Sequence, residues 1–323
     1  MSESASVRRV TCAPLPPGRP VLRTALGLAC LVAAGWTASV AVAVLRGLHP
    51  ATAVLLAVVT LLGLGLLVSG LRGLPDARAG RRGSGRRVLA GVGRALLAVL
   101  FLALAGATAW LRPAAATSER IADGVTVAES STEIVLRPAT GTATTGLVLQ
   151  PGALVAPQAY VPLASDVAAG GYEVVIVKQR LQVAFLATGA AEAVIAHHPE
   201  VTTWAVGGHS LGGVVAAREV DAPAVRGLLL WAAYPASRVA DEEGLDITSV
   251  TASANGLTTP AKVAGTRNLL PAGTRFVEVD GAVHADFGDY GPQDGDGEPT
   301  TSCTSAQEQI VAASQALLSG LAR

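Results

Sequence analysis

Three uncharged apolar runs, residues 24–45, 51–71 and 95–111, constrain this chain more than any other feature. The hydrocarbon core of a bilayer takes about 20 apolar residues of helix. A helix also satisfies its own backbone N–H and C=O groups, for which lipid has no partners. The third run reaches spanning length as 88–111 when Arg94 extends its guanidinium to the interface. Half of the residues are hydrophobic and 15% are charged, and the mean hydropathy is +0.47. Such a balance excludes a disordered chain and is too apolar for an ordinary soluble enzyme. Residues 1–112 therefore read as a membrane anchor of three transmembrane helices, at about 24–45, 51–71 and 88–111. A cleaved signal peptide is the poorer reading of the first run, because two more spans follow. Cys30 follows Gly27-Leu28-Ala29, but mid-span, where a lipid-attachment site does not belong.

Arginine placement orients the spans, since positive loops stay on the cytoplasmic side. Arg8, Arg9, Arg19 and Arg23 precede the first run, and Arg72, Arg78, Arg81, Arg82, Arg86 and Arg87 lie between the second and third. The connection at 46–50 carries only Arg46. The N-terminus and the second connection are thus expected inside and the first connection outside. After three crossings everything beyond Arg112 is expected outside, in a multi-pass plasma-membrane protein with an extracytoplasmic second half.

The zero net charge conceals a division. Residues 1–112 hold 13 Arg against Glu3 and Asp76, a net +11, while residues 113–323 hold 11 basic against 22 acidic residues, a net −11. The second half has no basic patch to read nucleic acid, and the partner implied by the first half is the lipid bilayer. Cys12, Cys30 and Cys303 form neither a disulfide framework nor a metal-ligand spacing, so no metal or cofactor is expected.

Residues 113–130 read as an Ala-rich linker and 131–323 as a separate domain. Strands are predicted at 132–137, 146–149, 172–177, 202–206, 225–234, 247–252 and 275–279, and helices at 157–169, 187–197, 211–220, 260–269 and 305–321. Near-continuous apolar runs such as YEVVIV are those of strands buried on both faces. The alternation predicts an α/β layer fold around a mostly parallel sheet. Within it, TTWAVGGHSLGG at 202–213 runs from apolar strand through Gly208-His209-Ser210-Leu211-Gly212 directly into a helical pattern. This is G-x-S-x-G in the strand–turn–helix context that gives the motif its meaning. The small residues let strand and helix pass closely, and the turn presents Ser210 at a helix N-terminus, where free N–H groups favour developing negative charge.

The segments QPGALVAPQAYVPLASDVAAGGYEVVIVKQRL, WAVGGHSLGG, LLLWAAYP, SANGLTTPAK and GAVHADFGDYGPQDGDG resemble a branch of the bacterial α/β-hydrolase superfamily distantly related to dienelactone hydrolase. The resemblance covers about 131–318. It implies a doubly wound, mostly parallel eight-stranded sheet and a Ser–acid–His hydrolase acting on carboxylic esters or thioesters. With only 11 residues between Tyr234 and Asp246, no large cap is expected. The expected substrate is a small-molecule or lipid-like ester.

A serine needs a base, and in this fold the order is Ser, acid, His. His284 follows the last strand and is the expected base. His197 and His198 end a helix, His49 lies between spans, and His209 is inside the motif. The oxyanion hole needs two backbone N–H groups. Leu211 is expected to give one, and by resemblance Ala153 gives the other, with Leu154 its neighbour. The acid slot by resemblance is Asn255-Gly256-Leu257-Thr258-Thr259-Pro260, where an amide replaces the carboxylate. Asn255 is expected to accept a bond from His284 Nδ1–H without stabilising the imidazolium by charge. Asp241, Glu242 and Glu243 are alternative acids; Asp286 would need a sharp turn back, and Asp246 is expected at the wrong end of its strand. Lys178 and Arg180, ending a central strand, are candidate substrate contacts or a salt-bridged strand end. Residues 294–298 (DGDGE) read as a solvated acidic turn, since their glycines do not match a calcium loop. The alternative function is a weak or inactive hydrolase-like domain that serves binding or assembly at the membrane.

Overall fold

The structure, a computed structural model, describes residues 18–40, 42–72, 84–239 and 244–323. The elements run α1 (Gly18–Ala38), α2 (Val42–Gly47), α3 (Pro50–Leu71), α4 (Ser84–Trp110), β1 (Val125–Glu129), β2 (Glu133–Pro138), β3 (Thr145–Gln150), α5 (Val161–Ala168), β4 (Glu173–Val177), α6 (Ala190–His197), β5 (Thr203–His209), α7 (Leu211–Ala216), β6 (Val225–Trp231), β7 (Asp246–Ala252), α8 (Pro260–Thr266), β8 (Arg275–Val279) and α9 (Cys303–Leu321). They divide into two compact units, Met1–Gly35 with Ala57–Ala109, and Trp36–Leu56 with Trp110–Arg323.

Three helices are long and apolar enough to cross a membrane, at Pro20–Ala38, Pro50–Leu71 and Val88–Trp110, and most of their residues fall in the first unit. Small residues let α1 and α3 approach closely: a Cβ on Gly27 would stand 2.7 Å from the Gly63 carbonyl oxygen.

The second unit is an eight-stranded sheet in the order β1-β2-β4-β3-β5-β6-β7-β8. β2 pairs antiparallel with β1 and β4, and the other five pairings are parallel. Every position of β3 and β4 is buried, and side chains alternate between two apolar layers. Leu147, Leu149, Ile176, Leu229 and Trp231 pack on one face with Leu163 of α5 and Ile310 and Leu317 of α9. Val148, Val175, Trp204, Val206 and Leu230 pack on the other with Val194 of α6 and Ala216 of α7. Each such side chain contributes about 1.5–3 kcal/mol on burial. From β3 the chain crosses to β4 on one side and then returns to β5 on the other. The carboxyl ends of β3 and β5 therefore flank the point where strand order reverses, the place where open α/β sheets bind ligands.

The sequence expectation is corrected in several places; the helix expected at 211–220, for one, ends at Ala216. The first apolar run is not one helix: α1 starts six residues earlier and stops at Ala38, where Ser39 donates its N–H (3.2 Å) and Oγ–H (2.6 Å) to the Trp36 carbonyl. α2 then begins separately. Within the expected linker at 113–130, β1 forms the sheet edge and Ala114 makes a parallel bridge to Val155. The strand expected at 225–234 ends at Trp231. Asp246 opens β7 and is exposed, at the edge away from Ser210. Asp241, Glu242 and Glu243 lie outside the described residues.

Candidate active site

Ser210 occupies the sharp turn between β5 and α7 with φ 53° and ψ −121°, a strained conformation for a non-glycine residue. Its N–H donates to the Trp231 carbonyl at 2.9 Å. The flanking glycines are required by space. A Cβ on Gly208 would lie 2.4 Å from the Gly212 carbonyl carbon, and one on Gly212 would lie 2.1 Å from the Gln150 carbonyl oxygen. Ser210 is half-buried and thus reachable. Among the described residues its Oγ makes no hydrogen bond, so the hydroxyl is not already paired with a base.

The loop after β3 brings a second set of amides to the same edge. Gly152 N–H donates to Tyr160 Oη at 2.8 Å, and Leu154 N–H to the Gln182 carbonyl at 2.9 Å. Leu154 is thereby excluded as an oxyanion donor. Among the described residues the N–H groups of Ala153 and Leu211 have no protein acceptor, which leaves these two available. The loop rests on a buried polar network. Gln179 Nε2 donates to Gln150 Oε1 (3.0 Å) and to the Pro151 carbonyl (2.9 Å), and Gln150 Nε2 donates to Glu219 Oε2 (3.2 Å).

His284 opens the 3-10 turn after β8 and is 1% exposed. Burial pulls its pKa down to about 4, opposed by the charge of Asp296. Its ring lies 4.5 Å, centroid to centroid, from that of His209, which in turn stacks on Phe287 at 5.7 Å. Tyr160, whose Oη already accepts from Gly152, donates its own proton to His209 Nδ1 at 2.8 Å. Burial and the neighbouring His284 hold His209 well below the usual histidine range, so it stays neutral. His209 is thus a packed link between Tyr160 and His284.

Asn255 sits in the turn after β7, with its side chain 3.1 Å from His284 Nδ1. Its Oδ1 accepts the backbone N–H groups of Leu257 (3.0 Å) and Thr258 (2.7 Å). Two donors fix the oxygen on that side, so the amide NH2 points at the ring. The expectation that Asn255 accepts from Nδ1–H is corrected here: Asn255 donates, and the neutral imidazole carries its proton on Nε2. That tautomer offers Ser210 no Nε2 lone pair.

The acidic turn contributes a residue that sequence reasoning missed. Asp296 Oδ1 accepts from Gly256 N–H (3.1 Å) and Gly297 N–H (2.8 Å), and Oδ2 accepts from Ala285 N–H (2.9 Å). One carboxylate thus joins the residue after Asn255 to the residue after His284. Neither its spacing nor a motif marks it in the sequence. Asp286 is directed to the Val283 N–H at 2.9 Å. Lys178 is buried and committed to Glu129 (2.7 Å) and to the Ser130 carbonyl (2.5 Å), so it is a strand-end ion pair. Arg180 donates to the Leu186 carbonyl at 3.0 Å and lines a hollow of about 230 Å3 with His49, Thr188 and His197.

Glu173, His198 and Glu200 bring ligand-type atoms within 4.8 Å of one another, at the opposite sheet edge. Arg137 occupies that position, 2.5 Å from Glu173 and 2.9 Å from Glu200, which makes it an ion-pair cluster.

A comparison with curated proteins gives no match. The sequence model described as the alpha/beta hydrolase family matches residues 146–309, from β3 to within α9. With that match over half of its length, around a serine elbow in an eight-stranded, mostly parallel sheet, the chain belongs to the alpha/beta hydrolase family.

Proposed function

We propose that this protein is a membrane-anchored serine hydrolase that cleaves carboxylic esters or thioesters by acyl transfer through Ser210. The observation that carries the reading is the Ser210 turn, with φ 53° at the start of α7, together with the amides of Leu211 and Ala153, which have no protein acceptor among the described residues. Ser210 Oγ attacks the carbonyl carbon, and the two N–H groups hold the oxyanion. His284 takes the serine proton and passes it to the leaving alcohol or, from a thioester, the leaving thiol. Water then attacks the acyl-enzyme, returning Ser210 and releasing the acid. Anchoring rests on the three apolar helices, and the arginine distribution favours a plasma-membrane protein with an extracytoplasmic catalytic unit.

To act as base, His284 needs its proton on Nδ1. That requires the Asn255 amide to turn over and face Leu257 and Thr258 with its NH2. Leaving two buried donors unpaired costs about 1–3 kcal/mol each, which at about 1.4 kcal/mol per tenfold slows turnover by roughly 30- to 10⁴-fold. The proposed enzyme is therefore slow. The same observation favours a second reading, a hydrolase-like domain that binds without turnover. Hydrolysis of p-nitrophenyl acetate and butyrate by detergent-purified full-length protein, lost in Ser210→Ala, supports the enzyme. A folded protein with no Ser210-dependent turnover across these esters leaves the binding reading.

A further inference from the structure

The catalytic unit includes residues 36–56 and begins again at Trp110, so it contains the points where the chain joins its apolar helices. Both points hold the oxyanion loop. At the start of α3, Thr52 Oγ1 accepts from Gln182 Nε2 at 3.0 Å, and both residues are 2% exposed. The Gln182 carbonyl accepts the Leu154 N–H. Just after α4, Ala114 N–H donates to the Leu154 carbonyl (2.7 Å) and the Ala114 carbonyl accepts from Ala156 N–H (2.9 Å). At the end of α2, the Gly47 carbonyl accepts from Gln158 Nε2 at 2.7 Å. Leu154, Leu181 and Gln182 all have positive φ, at 58°, 54° and 55°. Backbone of that kind persists where surrounding contacts over-determine it, and the helix ends supply those contacts.

The loop beside Ser210 is thus held by Gly47, Thr52 and Ala114 of its own unit. Two further features belong to a membrane interface. Trp36 and Trp110 are exposed at helix ends, with the Arg112 guanidinium 4.7 Å over the Trp36 ring. The turn after β4 exposes Phe185 and Leu186 at 44% and 45%, three and four residues after the Gln182 that bonds Thr52. Arg218 lies 5.5 Å over the Phe185 ring, and Arg180 holds the Leu186 carbonyl. An apolar tip between two guanidiniums matches the boundary between acyl chains and anionic headgroups.

We propose that Ser210 acts on the acyl ester of a membrane lipid, taken from the bilayer surface against which Phe185 and Leu186 rest. This rests on the hydrolase reading above. Ser210 Oγ bonds to the acyl carbonyl carbon, and the ester C–O bond breaks. The lipid alcohol leaves with the serine proton, and water releases the fatty acid. The 11 residues between Tyr234 and Asp246 are too few for a folded cap over a long chain; the bilayer serves as the apolar wall.

The test uses full-length protein in vesicles of dioleoylphosphatidylglycerol containing dioleoylglycerol, with released oleate quantified by chromatography and p-nitrophenyl butyrate as the soluble substrate. The expected result is oleate release from at least one lipid, lost in Ser210→Ala. The double variant Phe185→Asp/Leu186→Asp should lower the ratio of oleate release to butyrate hydrolysis at least tenfold. Ser210-dependent butyrate hydrolysis without oleate release from either lipid would overturn the proposal while leaving the hydrolase intact, as would an unchanged ratio in the double variant. Failure on both substrates removes the hydrolase reading and this proposal together.

Discussion

Asn255 presents its amide nitrogen, not its oxygen, to Nδ1 of His284, 3.1 Å away. The bond is reversed relative to the one a catalytic base needs, and the reason lies in the backbone. The N–H groups of Leu257 and Thr258 both claim Oδ1. An aspartate here could keep both amide bonds with one oxygen and accept from Nδ1–H with the other. Asn255→Asp is therefore predicted to raise kcat/KM toward small esters at least about tenfold, about 1.4 kcal/mol of transition-state stabilisation. In a serine protease the opposite change, Asp to Asn, costs about 10⁴ in kcat through the wrong tautomer. Steady-state kinetics with p-nitrophenyl acetate checks this; an unchanged or lower kcat/KM contradicts it.

Asp296 is predicted to be a positioning residue that also supplies charge. Its carboxylate ties Gly256 to Ala285 and opposes the effect of burial on His284. Asp296→Asn should lower kcat/KM by about three- to tenfold, or about 0.7–1.4 kcal/mol. It should also move the acid limb of the pH profile to lower pH, because the charge that favoured the imidazolium is gone. A loss of activity with no movement of the limb would mark a purely structural role.

The wild-type pH profile follows from the same residue. His284 must be neutral to accept a proton, and its pKa is about 4. The acid limb of kcat/KM is predicted near pH 4, below the ordinary histidine value of about 6.5. Stability has the same sign. The unfolded chain binds the His284 proton below about pH 6.5 and the folded one only below about 4, so stability is full above 6.5 and is lost as pH falls to 4. The contribution of this group is about 3 kcal/mol, and thermal melts across pH 4–7 should show Tm falling with acid. A Tm that rises on acidification contradicts the burial of a neutral His284.

Tyr160 holds the loop after β3 through one hydroxyl, which accepts from Gly152 N–H and donates to His209 Nδ1. Tyr160→Phe leaves both buried partners unpaired, at about 1–3 kcal/mol each. A lower urea midpoint and a lower kcat with little change in KM are expected. Wild-type stability in this variant would remove the hydroxyl from the account.

The elbow was legible in the sequence because it is local: strand, Gly-x-Ser-x-Gly and helix are contiguous, and sterics fix what stands two residues from Ser210. The place of His284 just after the last strand was legible from chain order. The polarity of the Asn255–His284 bond was not, since it depends on which neighbouring N–H groups face Oδ1. Asp296 acts across about 40 residues of sequence, beyond any local pattern. β1 was missed because Val125–Glu129 is short and half exposed at a sheet edge. The end of the first helix was displaced because the run's lack of charge hid Ser39, whose side chain closes the helix by bonding Trp36.

The central claim is that Ser210 is a nucleophile, and covalent labelling tests it most directly. Full-length protein treated with a fluorophosphonate, digested and analysed by mass spectrometry is predicted to carry one adduct, on Ser210, formed slowly and absent in Ser210→Ala. Faster labelling is predicted for Asn255→Asp. Folded wild-type protein that stays unlabelled at Ser210, in both the natural chain and Asn255→Asp, would contradict the account.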